Sequence, residues 1–125
     1  MPTIDRYLPL TLRIIGGATM LSAVQFIAPT TMLNALGMSV CNDTGLFFAR
    51  HWALVICCMG GLMFYSASRP ELRLPVMFVV TLEKLALVLM VVMNASNPAL
   101  AGMHPAAIFD GLSVLVLSAL MLRSR

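Results

Sequence analysis

Two adjacent charges of opposite sign in the middle of a long apolar stretch constrain this chain more than any other feature. The stretch runs from Leu74 to Met93 and carries Glu83 and Lys84 near its centre. A helix of about 20 residues spans a hydrocarbon core of roughly 30 Å, so both charges would lie near the midplane. The lysine stem reaches only ~6 Å of the roughly 15 Å to either surface. Because an unpaired charge at this depth is costly, we expect both residues to find partners inside the protein.

The composition is that of an integral membrane protein. Hydrophobic residues make up 60% of the chain and charged residues only 10%, and the mean hydropathy is +0.94. Soluble domains are neither so apolar nor so poor in charge. The net charge of +3 does not indicate a nucleic-acid partner, because the basic residues are divided among several membrane edges. The partner that the composition predicts is the lipid bilayer.

The hydrophobic pattern predicts an all-α fold. We expect a single integral membrane domain over residues 1–125, arranged as an up-down-up-down bundle of four transmembrane helices. No convincing cleavage site follows the first apolar run, so we expect that run to be a retained helix. Pro29 ends it, a short interfacial helix leads to Gly37, and Asn42 begins the capping segment of the second long helix. The predicted transmembrane helices cover residues 7–28, 46–66, 74–93 and 106–122.

The distribution of basic residues predicts the orientation of the bundle. Arginines occur near the N-terminus, between the second and third helices, and at the C-terminus, whereas the other two loops have no Lys or Arg. The positive-inside rule then places both termini in the cytoplasm.

Small residues recur every four positions along the second helix, at Ala49, Ala53, Cys57 and Gly61. Such a stripe lets the backbone of a neighbouring helix approach closely, so we predict a helix-packing surface here. The three cysteines, Cys41, Cys57 and Cys58, form neither a disulfide framework nor a CxxC redox motif.

Apart from Arg13, which lies about two turns into the first helix and can extend to the near interface, the charged residues within the predicted spans are two bases and two acids, Arg50, Lys84, Glu83 and Asp110. Arg50 and Asp110 each lie about one turn from the outer end of a helix, and Glu83 lies some 9 Å deeper. The economical arrangement has Arg50 bridging Glu83 and Asp110. Lys84 then completes the set or faces another groove. We predict a buried polar or ligand-binding cluster of Arg50, His51, Glu83, Lys84 and Asp110.

This cluster has several interpretations. The charges would neutralise one another and set helix register, or they would form the polar end of a ligand pocket whose walls include Phe47, Phe48 and Phe78. A proton relay through His51 and Glu83 is a further alternative. A haem held by His51 and His104 has only the two imidazoles in its favour. No catalytic triad, phosphate loop or metal-ligand spacing occurs, so we predict no catalytic residue, no metal and no cofactor.

A series of short motifs runs along most of the chain. Their order is Pro29-x-x-x-Leu33-x-x-Leu36-Gly37, Phe48-Ala49-Arg50, Gly60-Gly61-Leu62, the turn from Pro70 to Arg73, and Asp110-Gly111. Together they resemble the bacterial small four-helix membrane proteins of unknown function related to the DoxX group. In such families the arginine of the second helix and the Asp-Gly of the fourth recur, here Arg50 and Asp110-Gly111. Glu83-Lys84 departs from the arginine expected in the third helix.

The resemblance implies a four-helix fold in the bacterial inner membrane. Some DoxX-type proteins resemble subunits of quinone-linked oxidoreductases, which implies a role beside a redox complex. We therefore expect a non-enzymatic accessory or structural subunit of a membrane complex, or a homo-oligomer. The alternative is a binder or enzyme for a lipophilic small molecule, quinone- or sterol-like, held in an interhelical pocket with its polar end at Arg50, Glu83 or Asp110.

Overall fold

The computed structural model describes residues 2–124, with side chains from residue 6 onward, and this part of the chain contains helices and no strand. The α-helices are α1 (Pro2–Met20), α2 (Ala23–Ile27), α3 (Pro29–Ala35), α4 (Asp43–Ser66), α5 (Pro70–Met93) and α6 (His104–Arg123). A 3-10 helix, Pro98–Met103, precedes α6. The all-α prediction is confirmed.

Four helical segments are long and apolar enough to cross a membrane, as a multi-pass membrane protein requires. They are Arg6–Ile27, Asp43–Ser66, Pro70–Met93 and Pro98–Arg123. Each segment matches one of the four predicted spans in position, although the helix bounds within them differ from the prediction.

The first predicted helix, residues 7–28, is not continuous. Its first part ends at Met20, and the chain turns at Leu21 and Ser22 before α2. The amides of Leu21 and Ser22 bond to carbonyls three residues back, which tightens the backbone. The Ser22 hydroxyl donates to the carbonyl of Ala53 at 3.0 Å and so ties the turn to α4. This contact joins residues 31 positions apart, so local sequence did not predict the break.

The remaining long helices begin earlier than predicted. α4 begins at Asp43 because the Asn42 side chain accepts a hydrogen bond from the Gly45 amide at 2.7 Å, which confirms the predicted cap. α5 begins at Pro70, since proline suits the first turn of a helix, where its missing N–H is not needed. The turn expected from Pro70 to Arg73 is therefore the first turn of α5, and the loop before α5 is residues 67–69.

The predicted short helix after Pro29 is present as α3. Gly37 follows it with a φ of 72°, a left-handed conformation that glycine adopts readily, which confirms Gly37 as the stop. Leu33 of α3 is buried, and Met32 and Leu36 line a cavity described below. One side of α3 therefore covers the interior of the bundle.

A close helix contact joins α1 to α4 at two glycines. A Cβ at Gly60 would lie 2.7 Å from the carbonyl oxygen of Gly16 and 2.9 Å from the amide nitrogen of Met20. Backbones approach this closely only when neither residue carries a side chain. Beyond this point, Gln25 Nε2 donates to the Ala49 carbonyl at 3.0 Å. The contacting residues rise in number along α1 and α2, from Gly16 to Gln25, while their partners on α4 fall from Gly60 to Ala49. The α1 and α2 helices therefore run antiparallel to α4.

The predicted packing stripe of α4 is partly wrong. Ala53 is fully buried and Ala49 receives the bond from Gln25, but a Cβ on Gly61 would meet nothing within 4 Å. Cys57 is only half-buried. Four residues advance an α-helix by about 400°, so a four-residue stripe drifts by about 40° at each step. Gly60, seven residues after Ala53, returns to within about 20° of it and takes the contact instead.

The α5 and α6 helices form a second antiparallel pair. Leu74 and Leu122 flank one groove, whereas Lys84 meets Asp110 nearer the other end. The well-packed core occupies the half of the bundle that contains the α4–α5 turn. It consists of Leu8, Leu12, Ile15, Met63, Ala67, Val76, Met77, Val80 and Leu117. The other half, which we call the α3 end, contains Glu83, the Lys84–Asp110 pair and two cavities described below.

Candidate functional site

A buried ion pair between α5 and α6 is the centre of the site. Lys84 Nζ donates to Asp110 Oδ1 at 2.5 Å, and the side chains are only 2% and 9% exposed. The Phe109 ring lies against the ammonium, with its centroid 5.1 Å from Nζ. A cation over an aromatic face is stabilised by the ring quadrupole. Lys84 therefore has both a carboxylate and an aromatic partner within the protein, as expected for a charge deep in a membrane span.

Glu83 precedes Lys84 but does not share its partner. The ion pairs in the described part of the chain are Lys84–Asp110 and Arg69–Glu71, so Glu83 has no basic partner there. Its Oε2 atom is buried and accepts no hydrogen bond from the described residues. A buried polar atom of this kind costs free energy unless a partner arrives. Glu83 thus contributes an acceptor that has no partner among the described residues.

A cavity of about 220 Å³ is bounded in part by Lys84 and Asp110, and we call it the charged cavity. Residues of α1, α2, α3, α4, α5 and α6 line it, with Met103 of the 3-10 helix. Its ionisable lining residues are one base and two acids, Lys84, Glu83 and Asp110. Most of the wall is apolar, including Ile56, Leu87 and Phe109. The charged cavity is therefore a mainly apolar space with a few charged groups on one part of its wall.

A second space of about 530 Å³, the lateral cavity, adjoins the first. It lies between α4, the last turns of α5 and the 3-10 helix, and it reaches the exposed residues Met90 and Asn94. Trp52, Glu83, Leu87 and Met103 line both cavities. Glu83 therefore lies where the two spaces meet.

Three neutral polar side chains of the first span also line the charged cavity. Thr19, Ser22 and Gln25 each donate to a backbone carbonyl, of Ile15, Ala53 and Ala49 respectively. No sequence pattern predicted these three residues as part of the site. The sequence feature that could have indicated them is Gln25, a polar residue in an otherwise apolar run, which the structure shows to be buried. In a membrane helix such a residue indicates an interhelical contact.

The prediction that Arg50 and His51 belong to the buried cluster is wrong. Both are exposed, and Arg50 forms no ion pair with the described residues, so the predicted bridge to Glu83 and Asp110 does not form. On the helical wheel, Arg50 lies about 60° beyond the buried Ala53, and His51 lies about 160° from it. Arg50 is only seven residues from the start of α4, where a long side chain can extend back toward the interface.

The predicted aromatic walls are also wrong. Phe47, Phe48 and Phe78 are exposed and line neither cavity. Trp52 and Phe109 occupy that role. His51 likewise lines neither cavity, so the structure does not join it to Glu83 as a relay would require.

Comparison with protein-family models, with curated proteins and with solved structures finds no match. The similarity to the DoxX group therefore remains a prediction that rests on the short motifs.

The geometry of the site suits binding. An apolar space with a few convergent polar groups is the usual form of a small-molecule site, and bundle helices commonly enclose one. The ion pair holds the Lys84 and Asp110 side chains in place. The Oε2 atom of Glu83 has no hydrogen-bond partner among the described residues.

Proposed function

We propose that this protein binds a lipophilic small molecule in the charged and lateral cavities. The observation that carries the proposal is the unpartnered carboxylate of Glu83 at the junction of two apolar cavities. The polar end of the ligand contacts Glu83, and its apolar body lies along Trp52, Leu87 and Met103. Arg50 is not part of this pocket.

The size of the space supports this proposal. Small-molecule pockets measure roughly 300–1,000 Å³. The charged cavity alone, at about 220 Å³, falls below that range, whereas it exceeds the lower limit when joined to the lateral cavity of about 530 Å³. A compact ring system fits such a space, and a longer tail would leave it beside Met90 toward the lipid.

The first test is purification in mild detergent, followed by solvent extraction and mass spectrometry. We expect one lipophilic compound at close to one equivalent per chain. Ala106→Phe should abolish its retention, because Ala106 lines the charged cavity and a phenyl ring would fill it. Ala119→Phe is the matched control, since Ala119 lies on the same helix and is exposed.

Trp52 provides a second readout in the same experiment. It is the one tryptophan of the chain and lines both cavities, so its emission should shift when the compound is added back. A preparation that contains only bulk lipid and detergent would contradict the proposal. Equal retention of the compound by the Ala106 and Ala119 variants would also contradict it.

A second candidate function is that of an accessory subunit or homo-oligomer. The observation in its favour is that Arg50 is exposed within a membrane span and has no ion-pair partner among the described residues. A carboxylate on a neighbouring subunit would satisfy it. A protein that co-purifies in fixed stoichiometry, in place of a small molecule, would favour this function.

The DoxX resemblance and the distribution of charge lead us to propose a location in the bacterial inner membrane, with both termini in the cytoplasm. Alkaline phosphatase fused after residue 125 is therefore expected to be inactive, because this enzyme needs the oxidising periplasm. A fusion after Asn97, in the uncharged loop before the 3-10 helix, should be active. The opposite pattern of activity would reverse the orientation.

A further inference from the structure

The charges of the cavity indicate which kind of ligand it takes, on the assumption that the proposed binding function is correct. We propose that the ligand carries a protonated amine, which donates to and neutralises the carboxylate of Glu83. The ligand class is thus a compact lipophilic amine.

The charge balance within the cavity favours a cationic ligand. Two acids and one base line it, and the base is already paired with one of the acids. Arg50 and His51, which would have changed this balance, lie elsewhere on α4. Charges removed from water need a partner of opposite sign. A cationic ligand supplies that partner to Glu83, whereas an anionic ligand would add a further negative charge.

The pairing of Lys84 with Asp110 disfavours an anionic ligand. An anionic ligand would need a free cation, and the ammonium of Lys84 is 2% exposed, bonded to Asp110 and placed against Phe109. Thr19, Ser22 and Gln25 donate to backbone carbonyls. The charged group of the lining that has no ion-pair partner among the described residues is an acceptor, the Glu83 carboxylate, and it selects a cationic donor.

The aromatic lining of the cavity also favours a cationic ligand. Trp52 lines both cavities, as Glu83 does, and indole attracts a cation more strongly than any other aromatic side chain. An alkylamine resembles the lysine side chain, whose pKa is about 10.4, so it is charged at neutral pH. Glu83 and Trp52 together provide both contacts that an ammonium group prefers.

Three probes with the same apolar part test this inference: 4-phenylbutylamine, 4-phenylbutanol and 4-phenylbutyrate. Binding to the purified protein is followed by Trp52 emission and by the rise in melting temperature. We expect the amine to bind at least about tenfold more tightly than the alcohol, since one partly buried charge pair readily supplies that difference. The butyrate should bind most weakly. All binding should be lost in Ala106→Phe.

Glu83→Gln should remove the preference for the amine and leave the affinity for the alcohol within about twofold, because glutamine keeps the size and an acceptor but not the charge. Glu71→Gln is the matched control, since Glu71 lies on the same helix and is exposed. Tighter binding of the alcohol or butyrate at the Ala106-dependent site would overturn the amine assignment and keep the binding function. Absence of Ala106-dependent binding for all three probes and for any native compound would overturn both.

Discussion

Replacing Lys84 by methionine is expected to destabilise the folded protein by ~3–5 kcal/mol. The substitution leaves Asp110 buried, 9% exposed, without its ammonium partner. A single buried charge costs much more than the pair that it came from, because nothing compensates for its desolvation. The measurement is unfolding in mixed micelles, followed by circular dichroism.

Two further variants make this prediction specific. Lys84→Met combined with Asp110→Leu removes both charges and should recover most of the lost stability, since apolar residues often replace a buried pair at little cost. Arg69→Met breaks the exposed Arg69–Glu71 pair, at 4.0 Å, and should change stability by less than about 1 kcal/mol. A double variant as unstable as Lys84→Met alone would show that the pair is not the source of the effect.

Opposite effects are expected from alanine at two adjacent glycines of α4. Gly60→Ala should destabilise the protein by about 1–3 kcal/mol, because its Cβ would lie 2.7 Å from the Gly16 carbonyl oxygen and would push α1 away. Gly61→Ala should stabilise it by about 0.5–1 kcal/mol, since its Cβ meets nothing within 4 Å and alanine favours the helix.

The same unfolding assay measures both glycine variants. Because the substitution and the helix are the same, the difference between the two reports only the contact with α1. Equal effects at both positions would show that the close approach of α1 to α4 is not present in the membrane protein. A destabilising Gly61→Ala would instead restore the predicted stripe through Cys57 and Gly61 as the packing surface.

The pairing of charges shows where sequence reasoning reached its limit. The central position of Glu83 and Lys84 predicted a partner inside the bundle for each. Lys84 has one, whereas Glu83 has no basic partner among the described residues. That position did not predict that Asp110 would be the partner of Lys84, because Arg50 was also at a plausible depth. Depth follows from counting residues along a helix, whereas the direction of a side chain follows from the rotation of the helix about its axis. That rotation depends on how α4 packs against α1.

The site illustrates the same limit. Asp110, Glu83 and Lys84 were predicted as members of a polar cluster, and all three line the charged cavity. Thr19, Ser22 and Gln25 were missed there because their contribution depends on the turn at residues 21 and 22, which brings α2 and α3 over the cavity. That turn is held by a bond from Ser22 to Ala53 in another helix.

The sequence by itself determined the helical class, the four apolar spans, the cap at Asn42 and the stop at Gly37. These features depend on hydrophobic length and on residues close together in the chain, so local physical chemistry is sufficient. Only the tertiary structure decided that Gly60 rather than Gly61 meets α1, that Lys84 pairs with Asp110, and that Arg50 lies outside the site. Each of these depends on the rotation of one helix against another, which contacts between distant residues set and which no local pattern specifies.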